Sequence, residues 1–158
     1  MCKGKKLNIL GLNLTIHSQV YEPAEDTFLL LENLADYVKG ERIIDVGCGC
    51  GIIGLYTLTV GAKEAILTDI NPHAVENAKI NAINNRMYER VSIIQCNLID
   101  CIVPRRFNII IFNPPYLPVE YNGKDLIELA WCGGKNGRRV IDEFIDKITN
   151  YKLSLIHI

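Results

Sequence analysis

Short apolar runs rich in β-branched residues alternate along this chain with stretches of helical periodicity. Five runs predict strands: Arg42–Val46, Ala65–Ile70, Val91–Cys96, Ile109–Phe112 and Leu153–Ile158. Three intervening stretches predict helices: Ile52–Val60, Pro72–Ile83 and Arg138–Ile148. Strands that alternate with helices pair in parallel through right-handed crossovers, so the pattern predicts an α/β fold with a mostly parallel, doubly wound sheet.

A smaller unit precedes this alternation. Leu7–Leu10 and Leu12–Ile16, separated by Gly11, predict a hairpin or a bent strand, and we assign residues 1–22 to this N-terminal segment and 23–158 to the main domain. A helix follows, with Glu25 and Asp26 in its first turn. Its apolar positions repeat at helical spacing: Phe28, Leu31, Leu34, Ala35 and Val38.

Composition narrows the function classes. A chain of 158 residues with 49% hydrophobic residues is typical of one globular α/β domain. A net charge of −1, with no basic run beyond Lys3–Lys6, disfavours a broad nucleic-acid-binding surface. No apolar stretch is long enough for a membrane span, and we expect a cytoplasmic protein.

The six cysteines do not predict a metal site. None falls in a C-x-x-C pair, and only three histidines accompany them, so we expect no bound zinc. Cys48 and Cys50 alternate with glycines and are interpreted as small, free thiols.

A glycine-rich loop, Asp45–Gly51, joins the first core strand to a helix. Gly47, Gly49 and Gly51 allow a tight turn and a close backbone approach, and a helix N-terminus offers free N–H groups. Asp69 ends the next strand, where a carboxylate can accept both hydroxyls of a ribose. The combination predicts an adenosine-type ligand. Asn97 and Leu98, after the third strand, would then lie near the adenine.

A dinucleotide-binding oxidoreductase is the competing interpretation, because Gly49, Gly51 and Gly54 also satisfy the G-x-G-x-x-G spacing. Against it, no candidate acid or base for hydride transfer accompanies the loop. Asn113-Pro114-Pro115-Tyr116 would also be left without a role.

The tetrapeptide Asn113–Tyr116 follows the apolar run Ile109–Phe112 directly. Pro114 keeps Asn113 extended and ends the strand, so the Asn113 amide is presented at the carboxyl edge, where ligands of open α/β sheets bind. The Asn113 and Pro114 carbonyls are two acceptors that can hold a planar NH2 group, with Tyr116 lying across the same plane.

Together these motifs resemble the Rossmann-like, S-adenosylmethionine-dependent class I methyltransferases that act on planar NH2 groups. More narrowly, the segments Val20–Phe28, Thr68–Pro72 and Ala130–Gly137 resemble the HemK-like protein-glutamine methyltransferases. The archaeal and eukaryotic branch, which acts on the Gly-Gly-Gln loop of peptide-chain release factors, is the most similar. The family's final strands have no counterpart here, so we expect the domain to be truncated after its fifth core strand.

The resemblance implies roles for individual residues. Asp45, Gly47, Gly49 and Gly51 would surround the methionine end of S-adenosylmethionine, with Asp69 and Ile70 at the ribose. Asn97 and Leu98 would contact adenine, although the family usually has Asp at position 97. Glu25, Asp26 and Thr27 would cover the site. The substrate would contact five residues: Asn113, Pro114, Pro115, Tyr116 and Trp131. Of these, Asn113, Pro114 and Tyr116 would be catalytic, and Asn113 would also contact the cofactor.

Other acceptors stay open, because the same tetrapeptide can hold the exocyclic amine of adenine in DNA or RNA. A protein lysine methyltransferase and a non-catalytic subunit are further alternatives. The resembled branch works with a small zinc-containing activator protein. In the assumed strand order Val91–Cys96 lies at an edge of the sheet with apolar side chains, so we expect the activator to add a strand there.

Overall fold

Regular structure covers most of the chain. The computed structural model describes residues 4–103 and 107–149, and the backbone of 154–157. The strands in these ranges are β1 (Lys5–Ile9), β2 (Leu12–Ile16), β3 (Arg42–Val46), β4 (Glu64–Asp69), β5 (Val91–Gln95), β6 (Ile109–Phe112) and β7 (Ser154–His157). The α-helices are α1 (Glu25–Val38), α2 (Ile52–Thr59), α3 (Pro72–Asn84) and α4 (Arg139–Ile148).

Five strands form one parallel sheet in the order β5-β4-β3-β6-β7. The chain moves outward from β3 through β4 to β5 and then returns to the other side of β3 with β6. The strand order therefore reverses between β3 and β6, where Val46 pairs with Phe112 in register. Ligands of open α/β sheets bind beside such a reversal. The predicted parallel α/β sheet is confirmed.

Helices cover both faces of the sheet because neighbouring strand residues point to opposite sides. Ile43 on β3 belongs to a large core shared with α1, α2, α3 and the hairpin. Ile44, the next residue, belongs to a second core beneath α4, where the rings of Phe112 and Phe144 lie 4.6 Å apart. This second core fixes α4 beside the carboxyl end of β6.

Several boundaries differ from the sequence prediction. On α1, Leu30 is buried, whereas Phe28, predicted for the inner face, is 37% exposed. The first turn of α1 lies at the carboxyl edge of the sheet. The buried face of the helix there consists of Thr27, Leu30 and Leu31. The predicted last strand, Leu153–Ile158, is observed as Ser154–His157, and both of its predicted end residues lie outside the described residues.

A column of asparagines joins the N-terminal hairpin to helix α3. Three asparagines spaced four residues apart, on α3 and at its C-cap, accept hydrogen bonds through their side-chain oxygens. The donors are alternate backbone N–H groups of β2 and the residue after it, at 2.7–2.9 Å: His17 to Asn77, Thr15 to Asn81 and Asn13 to Asn85. Four helical residues rise about 6 Å and two strand residues about 6.6 Å, so the two repeats match. The asparagine side chains thereby occupy the position at which a third strand would pair with β2.

The described residues contain no helix long and apolar enough to cross a membrane. In residues 4–103 and 107–149, no three His, Cys, Asp or Glu side chains are grouped as metal ligands. Cys48 and Cys50 are buried free thiols, and burial raises the pKa of both. A disulfide joins Cys96 and Cys101, a pairing that the sequence analysis did not anticipate.

Candidate functional site

A cavity of about 410 Å³ opens at the carboxyl edge of the sheet, between the ends of β3, β4 and β6. Eleven of the predicted site residues line it: Asp26, Thr27, Gly47, Gly49, Asp69, Ile70, Asn97, Leu98, Asn113, Pro114 and Pro115. These residues come from five separate segments of the chain, so the fold gathers most of the predicted site into one place.

The glycine loop forms the floor of the cavity. Gly47 and Gly49 both have positive φ, at 66° and 54°, which lets the loop turn sharply between β3 and α2. Gly51 does not line the cavity. A Cβ at this position would lie 3.1 Å from Ala78 Cβ, so the glycine allows α2 to begin close against α3.

Asp69 is fixed at the end of β4 by backbone donors. The N–H of Gly49 donates to its Oδ2 and the N–H of Asn71 to its Oδ1, both at 2.9 Å. Burial raises the pKa of this carboxyl group, while the backbone hydrogen bonds oppose the increase. The carboxylate lines the cavity and keeps further lone pairs for vicinal hydroxyl groups.

Asp45 corrects the prediction, because it lies beneath the glycine loop rather than in the cavity. Val46 lines the cavity, and the pleat of β3 turns the preceding Asp45 toward α2. Its Oδ2 accepts from the Gly54 N–H at 2.8 Å, whereas its Oδ1 is buried with no hydrogen-bond partner among the described residues. Complete burial raises the pKa of Asp45 to about 7.

Apolar side chains form the walls farther from the glycine loop. Ile70 is 49% exposed yet lines the cavity, facing a region that also includes Leu98 and Val140. A flat heterocycle fits between such walls. At their rim the Asn97 Nδ2 donates to Glu143 Oε1 of α4 at 2.9 Å.

Asn113 is oriented by Asp26, across 87 positions of the sequence. Its Nδ2 donates to Asp26 Oδ2 at 3.2 Å, and the Tyr116 hydroxyl donates to the same oxygen at 3.5 Å. The Asp26 charge raises the pKa of Tyr116. An ionised carboxylate only accepts hydrogen bonds, so the Asn113 amide must turn its NH2 toward Asp26. The carbonyl oxygen of Asn113 is therefore available as an acceptor on the other side.

The segment 131–137 supports the tetrapeptide from behind. The N–H of Leu117 donates to the Trp131 carbonyl at 3.0 Å, and the Gly133 N–H donates to the Leu117 carbonyl at 2.9 Å. Gly137 packs so closely that a Cβ would overlap the Tyr116 carbonyl oxygen. This contact requires glycine at position 137.

Five of the predicted ligand-binding residues do not line the cavity: Asp45, described above, and Glu25, Gly51, Tyr116 and Trp131. The Trp131 ring instead lies 6.3 Å from that of Tyr21, and Glu25 is exposed at the start of α1. Tyr116 is exposed at the rim, where only its hydroxyl reaches the site. The substrate-binding role predicted for Trp131 therefore gains no support from its position.

Sequence reasoning missed the wall that α4 and the short 3₁₀ helix Leu126–Ala130 provide. The residues concerned include Arg139, Val140 and Glu143. No local pattern marks them, because charged residues at the start of a helix are ordinary surface residues. Their role appears only when α4 is placed beside the sheet.

The strand order and the glycine loop at its reversal define the class I methyltransferase fold. Residues 21–128 match the family model of the methyltransferase small domain, and the chain belongs to that family.

Relatives and solved structures agree with this assignment. A putative protein N5-glutamine methyltransferase of Methanocaldococcus jannaschii is 41% identical over 92% of this chain and 73% of its own length. Methyltransferase HEMK2 of Mus musculus is 39% identical over 79% of this chain, which spans 63% of that protein. Among solved structures, the E. cuniculi Mtq2–Trm112 complex, responsible for methylation of the termination factor eRF1, superposes with a TM-score of 0.61. It is 25% identical and the match covers 88% of this chain and 74% of that chain.

Proposed function

We propose that this protein transfers a methyl group from S-adenosylmethionine to the side-chain amide nitrogen of a glutamine in the Gly-Gly-Gln loop of a peptide-chain release factor. The observation that carries the proposal is the Asn113–Asp26 pair, which leaves a carbonyl acceptor beside a cavity suited to an adenosine-type ligand. The names of the relatives support the acceptor, since they include a release factor glutamine methyltransferase of Clostridium botulinum.

The cavity has the groups that this cofactor requires. Asp69 would accept the ribose hydroxyls, Ile70 and Leu98 would flank the adenine, and the loop at Gly47 and Gly49 would approach the methionine end. Asp45 lies beneath that loop, and the ionised form of its carboxyl group would favour the ammonium and sulfonium charges. When bound, S-adenosylmethionine supplies an electrophilic methyl group.

The chain's own residues address the weak nucleophilicity of an amide. The nitrogen lone pair of a glutamine side chain is delocalised into its carbonyl. Asn113 Oδ1 and the Pro114 carbonyl would each accept a hydrogen bond from one N–H of the substrate amide. The two bonds would hold the nitrogen toward the methyl group. Acceptors that pull on both N–H bonds favour localisation of the lone pair as the transition state forms. No side-chain base is required, because the N-methylated amide cation releases its proton to water.

A partner on the outer edge of β5 is the second part of the proposal. β5 is the edge strand next to β4 and has no neighbour on its other side among the described strands. Val91 and Ile93 pack against the large core, whereas Ile94, on the opposite face, belongs to neither core. The E. cuniculi neighbour is a complex of two proteins. We assign this edge to a small zinc-containing activator, and we place the complex in the cytoplasm, where release factors act.

A labelling experiment tests the acceptor. Protein co-expressed with the activator is incubated with methyl-labelled S-adenosylmethionine and either a release factor, its Gly-Gly-Gln to Gly-Gly-Ala variant, or unmodified DNA and RNA. We expect label only in the intact release factor and a loss of orders of magnitude with Asn113→Ala. Label in nucleic acid but not in the release factor would replace the proposal by adenine methylation.

A second experiment tests the edge. Ile94→Lys places a charge on edge strand β5, at a half-buried position opposite the large core, and should abolish co-purification with the activator. Glu89→Lys, on the turn before β5, is the control for an added positive charge at the surface. Undiminished co-purification of the Ile94→Lys variant would contradict the assigned edge.

A further inference from the structure

The contact between Asn97 and Glu143 gives the rim of the cavity a defined polarity. The two side chains come from the turn after β5 and from α4, and both line the cavity. Asn97 Nδ2 donates to Glu143 Oε1 at 2.9 Å. An amide has one donating and one accepting end, whereas an ionised carboxylate only accepts. The carboxylate therefore determines which end of the amide remains for a ligand.

Glu143 is itself held in place. The Lys147 ammonium, one helical turn farther along α4, lies 3.4 Å from Glu143 Oε1. The same ammonium contacts Asp100, on the turn that carries Asn97. Lys147 thus links Glu143 to that turn, and the ion pair restrains the carboxylate beside the Asn97 amide, although both side chains are exposed at the rim.

We propose that Glu143 is a positioning residue that fixes the Asn97 amide with its Oδ1 toward the cavity, so that the site selects a purine with an amino group at position 6 over one with a carbonyl there. This inference rests on the proposed adenosine-type cofactor and adds a specificity determinant on α4. A purine carbonyl at position 6 would face Asn97 Oδ1. Both oxygens are hydrogen-bond acceptors, so they would repel each other and no hydrogen bond would form. The pair also accounts for Asn at position 97, because an aspartate there would face the Glu143 carboxylate.

Calorimetry with two ligands tests the inference. S-adenosylhomocysteine carries an amino group at position 6 of the purine, and S-inosylhomocysteine carries a carbonyl at the same position. For the unmodified protein we expect S-adenosylhomocysteine to bind roughly ten- to a hundredfold more tightly, the range for a site built around one hydrogen bond.

Substitutions of the pair separate positioning from general structure. Glu143→Gln has both a donor and an acceptor, so the Asn97 amide can turn over, and the ratio of the two affinities should fall at least about fivefold. Asn97→Asp alone should weaken both ligands. In the double variant Asn97→Asp/Glu143→Gln the glutamine donates to the aspartate, which restores an inward acceptor and the preference for S-adenosylhomocysteine. Glu128→Gln, which alters the other Asn–Glu contact at Asn122, is the matched control and should leave the ratio unchanged.

The outcomes distinguish this inference from the function on which it rests. Equal affinities in the unmodified protein would overturn the inference while leaving the cofactor proposal intact. A parallel loss of both ligands in Glu143→Gln, with the ratio unchanged, would show a merely structural residue and would also overturn it. If the unmodified protein bound neither ligand, the proposed cofactor would fail and this inference with it.

Discussion

Replacement of Asp26 by asparagine should be more harmful than its replacement by alanine. In the structure both oxygens of Asp26 accept hydrogen bonds. The Thr27 N–H donates to Oδ1 at 2.7 Å, and Asn113 Nδ2 and the Tyr116 hydroxyl donate to Oδ2 at 3.2 and 3.5 Å. An asparagine at 26 keeps one acceptor, and the backbone donor of Thr27 claims it. Its NH2 then faces Asn113, whose amide must turn its own oxygen toward position 26. The substrate would meet an NH2 group instead of the acceptor it requires.

The magnitude follows from the two hydrogen bonds involved. A hydrogen bond to a charged group contributes about 1.5–3 kcal/mol to the working orientation of Asn113, and a neutral one about 0.5–1.5 kcal/mol to the inverted one. In the unmodified protein the working orientation is therefore already almost fully populated, so only the preference of the variant for the inverted orientation lowers kcat. A preference of about 0.5–1.5 kcal/mol leaves a minority in the working orientation and corresponds to roughly a three- to fourteenfold loss of kcat. Asp26→Ala removes the orienting bond without creating the opposite one, so the two orientations become about equally populated and kcat should fall only about twofold.

The assay is single-turnover methylation at saturating S-adenosylmethionine, with cofactor affinity measured separately. Both variants lack the charge of Asp26, so any effect of that charge on the cofactor cancels in their comparison. A variant Asp26→Asn that turns over as fast as Asp26→Ala, or faster, would refute the assignment of Asp26 as the residue that orients Asn113.

Three further predictions concern groups away from the reacting atoms. The folded-state pKa of Asp45, about 7, lies above its ordinary value of 3.8, so its contribution to stability is complete below about pH 4 and is lost as pH rises toward 7. The urea midpoint of the ligand-free protein should fall over that range, and Asp45→Asn should reduce the slope. Gly137→Ala should lower kcat by displacing the Asn-Pro-Pro-Tyr turn, while Gly123→Ala, with a similar positive φ but open space around it, should leave the rate nearly unchanged in the same methylation assay. Asn81→Ala leaves buried backbone groups unpaired and should cost about 2–3 kcal/mol of unfolding free energy by urea denaturation, whereas Asn85→Ala, at the exposed end of the column, should cost about 1 kcal/mol.

The elements that the sequence predicts well are those specified by local chemistry. The bounds of β3 and β6 agree with the prediction because each is a short run rich in β-branched residues with a nearby break: Gly47 directly follows β3, and Asn113-Pro114 follows β6. Pro72 after Asn71 likewise fixes the start of α3, where Asn71 Oδ1 accepts from the His73 N–H. Each of these signals lies within a few residues of the feature it controls.

The features that the sequence did not reveal depend on long-range partners. Asp26 was predicted to cover the cofactor, but its contact with Asn113 spans 87 residues and requires α1 to lie across the end of β6. Glu143 was not singled out at all, because its partner Asn97 is 46 residues away. The placement of Asp45 was missed for a different reason: the motif gives its position in the chain, whereas the pleat of β3 decides which face it occupies.

The asparagine column makes the opening of the hairpin a cooperative event. A two-stranded hairpin is marginal by itself in water, and here the free edge of β2 is satisfied by side chains of α3. Asn81 also donates to the Cys50 carbonyl in the glycine loop. The hairpin therefore cannot detach without exposing unpaired amides on α3 and releasing one anchor of the loop beneath the cofactor cavity. In hydrogen exchange, the amides of Thr15 and His17 should thus be protected to the same degree as the middle of α3, and a ligand that orders the glycine loop should slow the exchange of all of them together.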